Sequence, residues 1–336
     1  MSTKGAKPRI VTLAEMPAGE ECDVFVLLTS KDELPTRDGK KYFKVAFRDA
    51  GREVFVPVWQ DSPHAEACRE QWAVGRSYKL RGTLRETQYG PQLDIRRIRE
   101  TSDDDAADGF DPHKLRPAAR LDPEAMHAEL LHLARNHIAD PALAELVTGV
   151  LSQHRTALLG HPASTRRHHA HPGGLLEHTL NTTRAALWLV EANQTAYPDL
   201  KPPLSRDLVV AGAILHDFGK LREIAATETG GETTPEGELV GHVLLGRDML
   251  REAAVGRDLP AETLLRLEHI LTSHHGTAEY GSPKPPMTPE ALVVHAADDL
   301  DVRLAVLHQA LREDPSGGPL TSNRNSLQQR FYRGQG

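Results

Sequence analysis

DLVVAGAILHDFGK, residues 207–220, runs seven aliphatic residues at helical density into a His-Asp pair, a glycine and a lysine. Working outward from it, apolar residues recur at 3.6-residue spacing near 123–137, 141–159, 173–193, 205–216, 240–255, 260–274 and 288–311. Everything after about residue 120 therefore reads as an all-helical domain. Alone, the pair His216-Asp217 says little, because in a chain with 18 histidines such a dipeptide arises by chance. Its company is more informative: His178 in GGLLEHT, His242 in GHVLLG, His274-His275 in LTSHHG and Asp298 in HAADDLD, each on or at the end of an expected helix.

The steps from 178 to 216, 242, 274 and 298 are 38, 26, 32 and 24 residues, about one helix and a connection each. Antiparallel helices would bring these side chains to one end of a bundle. Imidazole nitrogens and carboxylates suit Mn, Fe, Co, Ni or Zn, and a carboxylate between two ions bridges them. Two divalent ions would serve attack of a metal-activated hydroxide on phosphorus, so phosphate ester hydrolysis is the expected chemistry. Taken singly, each histidine also fits a helix cap or a solvated surface. Lys220 fits either a point charge for phosphate or a complement to the helix C-terminus.

The front of the chain has a different period. CDVFVLLTS, KYFKVAFRD, REVFVPVW, SYKLRGTLRE and PQLDIRRIR alternate apolar and polar residues between turn-rich pieces, and PHAEACREQWA (63–73) has helical spacing. The order strand-strand-strand-helix-strand-strand fits a five-stranded OB-type barrel. Alternation puts Phe43, Val45 and Phe47 inward and Tyr42, Lys44 and Arg48 outward; Tyr78, Leu80 and Gly82 fall inward, Lys79 and Arg81 outward. From Arg76 to Arg99 seven Lys or Arg face two acids, Glu86 and Asp94, which suggests a phosphate-facing strip. The bland alternative is solubility and edge protection. Tyr89, in a short loop, is the better candidate for stacking on bases, whereas Trp59 fits the core better. A second phosphate-gripping candidate is the run Arg166, Arg167, His168 and His169, just before His178.

Residues 101–120, rich in Asp, Ala and Pro, read as a linker between an N-terminal domain (1–100) and a helical domain (121–312); 313–336 is a polar tail, loose unless Phe331 and Tyr332 dock. Over 336 residues the net charge is -7, which argues against a wholly basic nucleic-acid coat. Cys22 and Cys68 are too few for a disulfide framework and read as core residues. With no signal-like or membrane-spanning apolar run, the expected location is cytoplasmic.

The set H…HD…H…HH…D in a helical domain resembles the HD superfamily of metal-dependent phosphohydrolases. HHAHPGGLLEHTL, AGAILHDFGK, LVGHVLLG and SHHGTAEYGSPKPPMTPEALVVHAADDLD, over about residues 160–305, resemble the YhaM-type 3′-to-5′ exoribonucleases, whose OB-type front domain and QQRFYRG-like tail this chain shares. His171-Pro172 and the acidic run Asp103–Asp111 depart from that pattern. The resemblance implies an exonuclease that trims single-stranded RNA, with single-stranded DNA as an alternative, from the 3′ end to 5′-mononucleotides, commonly with manganese. It implies one metal on His178, His216, Asp217 and Asp298, with Asp217 bridging to a second on His242, His274 and His275. His216, Asp217 and Lys220 are then the catalytic candidates. Competing readings are an HD-type phosphohydrolase of free nucleotides or cyclic dinucleotides with a regulatory OB domain, and a non-catalytic single-strand-binding adaptor. GTAEYGSP stands after His275 where cyclic-dinucleotide enzymes carry GYP. A homo-oligomer is compatible with a helical domain of this size, but no residue specifies one.

Overall fold

The computed structural model describes residues 8–36, 39–87, 90–115, 118–165, 168–227, 230–314 and 318–334. They form two compact units, one of residues 1–117 with 308–336 and the other of 118–307. Among the described residues no helix is long and apolar enough to cross a membrane.

The front unit is a five-stranded antiparallel sheet of β1 (Glu21–Pro35), β2 (Lys41–Arg48), β3 (Glu53–Trp59), β4 (Ser77–Thr87) and β5 (Gly90–Glu100), with α1 (Ala65–Glu70) between β3 and β4. Its order, β3-β2-β1-β4-β5, is that of an OB-type fold, and β3 and β5 at the two ends approach each other. Period-two alternation explains the core. Val24, Val26, Val45, Phe47, Val54, Val56 and Leu80 point inward with Cys22 and Cys68, and Trp72 and Tyr78 close edge-on around Phe47. Gly82 is where β5 comes closest: a Cβ there would lie 2.5 Å from the Asp94 carbonyl oxygen.

The outward face differs from expectation in two ways. Trp59 is not a core residue. The parity of β3 that buries Val54, Val56 and Val58 turns Phe55, Pro57 and Trp59 out, so Trp59 is 47% exposed and stacks on Tyr42 at 4.8 Å. The basic strip is also largely neutralised. Arg81 makes a bidentate pair with Asp23 (2.6 and 2.8 Å), Arg85 pairs with Asp94, Arg96 with Glu21 and Arg99 with Asp105, while Lys79 meets Asp105 and Asp108. Most of these acids come from other parts of the chain, which a count over 76–99 leaves out. Arg48 is half-buried rather than displayed. Tyr89 lies outside the described residues.

The acidic run is folded as well: Asp103–Asp108 is a 3-10 helix in which Asp105 is buried, caps Ser102 and accepts two hydrogen bonds from Arg99. A second 3-10 turn, Pro112–Leu115, brings Leu115 against Phe25 and Leu27. In the tail, Leu320 pairs with Tyr332 and Thr321 is buried, but the Tyr332 ring stays exposed.

The second unit is built from α2 (Pro123–His137), α3 (Pro141–Gln153), α4 (Arg155–Gly160), α5 (Gly174–Ala196), α6 (Arg206–Leu215), α7 (Lys220–Glu223), α8 (Pro235–Val240), α9 (His242–Ala254), α10 (Ala261–Ser273) and α11 (Pro289–Glu313), the last continuing into the front unit's residues. Starts are marked chemically. Asp122, Asp140, Ser205 and Thr234 cap α2, α3, α6 and α8 with side-chain oxygens, and proline opens three of these helices. The expected helix over 141–159 breaks at His154 into α3 and α4. A hairpin of β6 (Ile224–Thr227) and β7 (Gly230–Thr233) interrupts the helices, with arms too short for a legible strand period. The unit's apolar core joins Leu130, Leu146, Leu176, Val209, Ile214, Ile270 and Val294 around α6, which is buried from Leu208 to Leu215.

Candidate metal centre

Because α6 is buried on all sides, its C-terminal His216 and the following Asp217 emerge inside the bundle rather than at its surface. His178 from α5, His274 at the end of α10 and Asp298 from α11 converge on them, also buried. His242, the first residue of α9, and His275 complete the group. All seven ligands expected from the sequence are thus brought together.

They divide around Asp217. Its Oδ2 lies 3.2 Å from His178 Nε2 and 3.5 Å from His216 Nε2, with Asp298 Oδ1 3.3 Å from His178 Nε2. Its Oδ1 lies 3.5 Å from His242 Nε2 and 3.6 Å from His274 Nε2. Within His178-His216-Asp217 and within Asp217-His242-His274-His275, the ligand atoms lie within 4.8 Å of one another.

The other imidazole nitrogen is fixed in every case. Nδ1–H donates from His178 to Asp301 Oδ2 (2.7 Å), from His216 to the Ala213 carbonyl (2.8 Å) and from His242 to Glu223 Oε1 (2.8 Å). His274 donates likewise to the Leu271 carbonyl (2.8 Å) and His275 to the Tyr280 carbonyl (2.6 Å). This tautomer, assigned from the hydrogen bonds, leaves five Nε2 lone pairs pointing inward. Two pairs then face each other, His178 with His216 at 3.1 Å and His242 with His275 at 3.3 Å. Lone pairs at that distance repel unless a cation lies among them. Asp217 Oδ1 and His274 Nε2 are moreover buried with no hydrogen-bond partner, a costly condition for polar atoms that a divalent cation would relieve. The donor set fits two such ions, with Asp217 between them.

The electrostatics agree. Burial opposes ionisation of Asp217, yet the Lys220 ammonium at 2.5 Å and the surrounding imidazoles hold its carboxyl well below the usual range. Asp298 is held low in the same way, against burial, by the His178 imidazole 3.3 Å away with those of His216 and His274 beyond it, and Asp301 by hydrogen bonds from His169 and then His178. Burial lowers His216 to about 4 and His275 to about 3, keeping both neutral and able to ligate. Three carboxylates, Asp217 and Asp298 buried and Asp301 partly so, therefore stay ionised beside Lys220; against its burial, they raise His178 well above the ordinary imidazole range, a positive charge that a bound cation would replace.

Asp301 and Glu223 went unnoticed in the sequence. Asp301 had a signal, since it lies three residues after Asp298 and so on the same helix face, whereas Asp299 turns to Arg303. Of the loop proposed to grip phosphate, Arg166 and Arg167 lie outside the described residues. His169 is turned inward, donating Nε2–H to Asp301 Oδ2 at 2.9 Å, and burial with Lys220 nearby lowers His168 to about 3, so neither is an exposed cation for phosphate.

Residues 175–303 match the model of the HD domain. The front of the chain is similar to the second OB-fold domain of replication protein A from Methanococcus maripaludis, at 13% identity over 28% of this chain and 95% of that one, with a TM-score of 0.22. It is also similar to the replication factor A related protein from Methanobacterium thermoautotrophicum, at 16% identity over 28% and 92%, again with a TM-score of 0.22. The chain thus joins a five-stranded antiparallel sheet resembling an OB-fold to a helical region that matches the HD domain.

Proposed function

We propose that this protein is a metal-dependent 3′-to-5′ exonuclease that shortens single-stranded RNA, with single-stranded DNA as the alternative polymer, to 5′-mononucleotides. The observation that carries the hydrolytic part is Asp217, whose two oxygens address two separate ligand sets with every histidine anchored through Nδ1. Two divalent ions bound there, manganese foremost and Co, Ni, Fe or Zn as alternatives, would activate water and neutralise the phosphate and its leaving group. The protein's own contribution is to hold the ligands in a buried, preset array that needs little rearrangement. Lys220, paired to Asp217, keeps that carboxylate ionised and presents further N–H groups to a phosphate oxygen.

The polymer preference rests on the front unit. Tyr42 stacks on the exposed Trp59, and Lys44 sits 4.6 Å over the ring of Phe55, which is 46% exposed. Exposed rings with an adjacent cation on an antiparallel sheet suit stacking of successive bases beside a phosphate track. This platform replaces Arg81 and the 76–99 strip as the expected contact surface, with Tyr42 and Lys44 retained.

The test is a denaturing-gel time course on 5′-labelled single-stranded RNA with Mn²⁺, beside EDTA, a duplex and the Asp217→Asn variant. A metal-dependent ladder shortening from the 3′ end, absent in the variant, is expected. Intact RNA together with turnover of free nucleotides would assign the chain instead to small-molecule phosphohydrolases.

A further inference from the structure

Beside the centre described above lies a second cluster, His169, His171 and Glu177, whose ligand atoms also lie within 4.8 Å of one another. The side chains are 9%, 12% and 9% exposed. The proton positions follow from the hydrogen bonds, as before. His169 spends its Nε2–H on Asp301, which leaves its Nδ1 facing Glu177 Oε2 at 3.7 Å, too long for a hydrogen bond. His171 directs Nδ1–H to the Pro172 carbonyl at 3.2 Å and sets Nε2 3.3 Å from the same Glu177 oxygen. Two imidazole nitrogens and a carboxylate oxygen thus converge, an arrangement that a positive charge among them would hold together.

The backbone builds this arrangement. His169 has φ +49°, a rare value for a residue with a side chain, and its carbonyl packs where a Cβ on Gly174 would stand, 2.0 Å away. Gly173 in the left-handed region and Gly174 without a side chain let the loop fold back over the first turn of α5, which carries Glu177.

We infer that His169, His171 and Glu177 form a third divalent-cation site, distinct from the two sets that share Asp217. Two imidazoles with one carboxylate, the remaining positions left to water or phosphate, suit Mn²⁺, Fe²⁺, Co²⁺ or Zn²⁺. The site is joined to the main centre through one atom, because Asp301 Oδ2 accepts from both His169 and His178. An ion there would lie beside the main centre, placed to hold a substrate phosphate next to the one being cleaved. The inference goes beyond the proposed activity, and an ion count separates the two.

The experiment uses the full chain, stripped by chelation and dialysed against Mn²⁺ alone, with bound metal counted per chain by mass spectrometry. Wild type is expected to hold three ions, His171→Ala two, Asp217→Ala one, and the double variant none. Glu177→Gln serves as a second variant, and circular dichroism establishes that each is folded. A count in His171→Ala and Glu177→Gln equal to that of wild type would overturn the third site, leaving a proton as the charge that reconciles the cluster, without touching the main centre. Loss of one ion in His171→Ala with no loss in Asp217→Ala would support the third site while removing the main one.

Discussion

Replacing Gly219 by alanine probes how tightly the centre is built. A Cβ at Gly219 would stand 1.9 Å from the His242 carbonyl oxygen and 2.5 Å from the Gly246 nitrogen, both backbone atoms of α9 or its first residue. Ordinary contact begins near 3.4 Å, so the turn carrying His216 and Asp217 and the start of α9 must part by about 3.4 − 1.9 = 1.5 Å. No side chain can rotate to relieve this. Gly219 itself has φ −59°, which alanine adopts readily, so the effect is purely steric. Overpacking of this kind costs about 1–3 kcal/mol, with the upper end expected where backbone must move. For a unit of this size that lowers the melting temperature by roughly 5–10 °C. His242 would be displaced on the order of 1 Å from its partners on Asp217, enough for a loss of about 100-fold in rate. Differential scanning fluorimetry and Mn²⁺-dependent hydrolysis of labelled RNA measure the two effects. Gly160→Ala, where a Cβ meets nothing within 4 Å, is the control and should change neither. A Gly219→Ala protein with the wild-type melting point and rate would refute the close-approach argument.

Asp301→Ala removes the acceptor that fixes the His178 ring and should weaken Mn²⁺ binding by about 10–100-fold in a metal titration; unchanged affinity would deny Asp301 a positioning role. Trp59→Ala with Tyr42→Ala should cost about 1–3 kcal/mol of single-stranded RNA affinity per lost stack, read by fluorescence anisotropy, while hydrolysis of a dinucleotide is retained. Arg81→Ala should lower stability rather than flatten the salt dependence of RNA binding, because its charge is already paired with Asp23. Asp105→Asn should destabilise the front unit by about 1–2 kcal/mol at pH 7, the Arg99 partner being half exposed. The Arg99 guanidinium holds the Asp105 carboxyl far below its ordinary value, so the contribution is present above about pH 4 and fades as pH falls below it. Urea midpoints of the two proteins that differ equally at pH 7 and pH 3 would contradict this.

What the sequence discloses here divides along a physical line. Apolar periodicity is local, so the strands, their inward residues and the ends of the helices that carry His178, His216, His274 and Asp298 are legible from a few neighbours at a time. Charge pairing is not local. Arg81 and Asp23 stand 58 residues apart, and His178 and Asp301 stand 123 apart, so no window over either partner shows that its charge is taken. The acidic run 103–108 reads as a linker for the same reason, being held by Lys79 and Arg99 and not by an apolar stripe. Histidine anchors are harder still, because the Ala213, Leu271 and Tyr280 carbonyls that fix three of the five histidines belong to the backbone and leave no trace in residue identity. Yet helical geometry supplies two of those carbonyls without any special residue. A histidine at or just past a helix C-terminus meets an unpaired carbonyl three residues back, as His216 does with Ala213 and His274 with Leu271. Placing a ligand at the end of a helix therefore selects its tautomer as well as its position, which is why His-Asp and His-His at helix ends make a preset metal site from so few side chains.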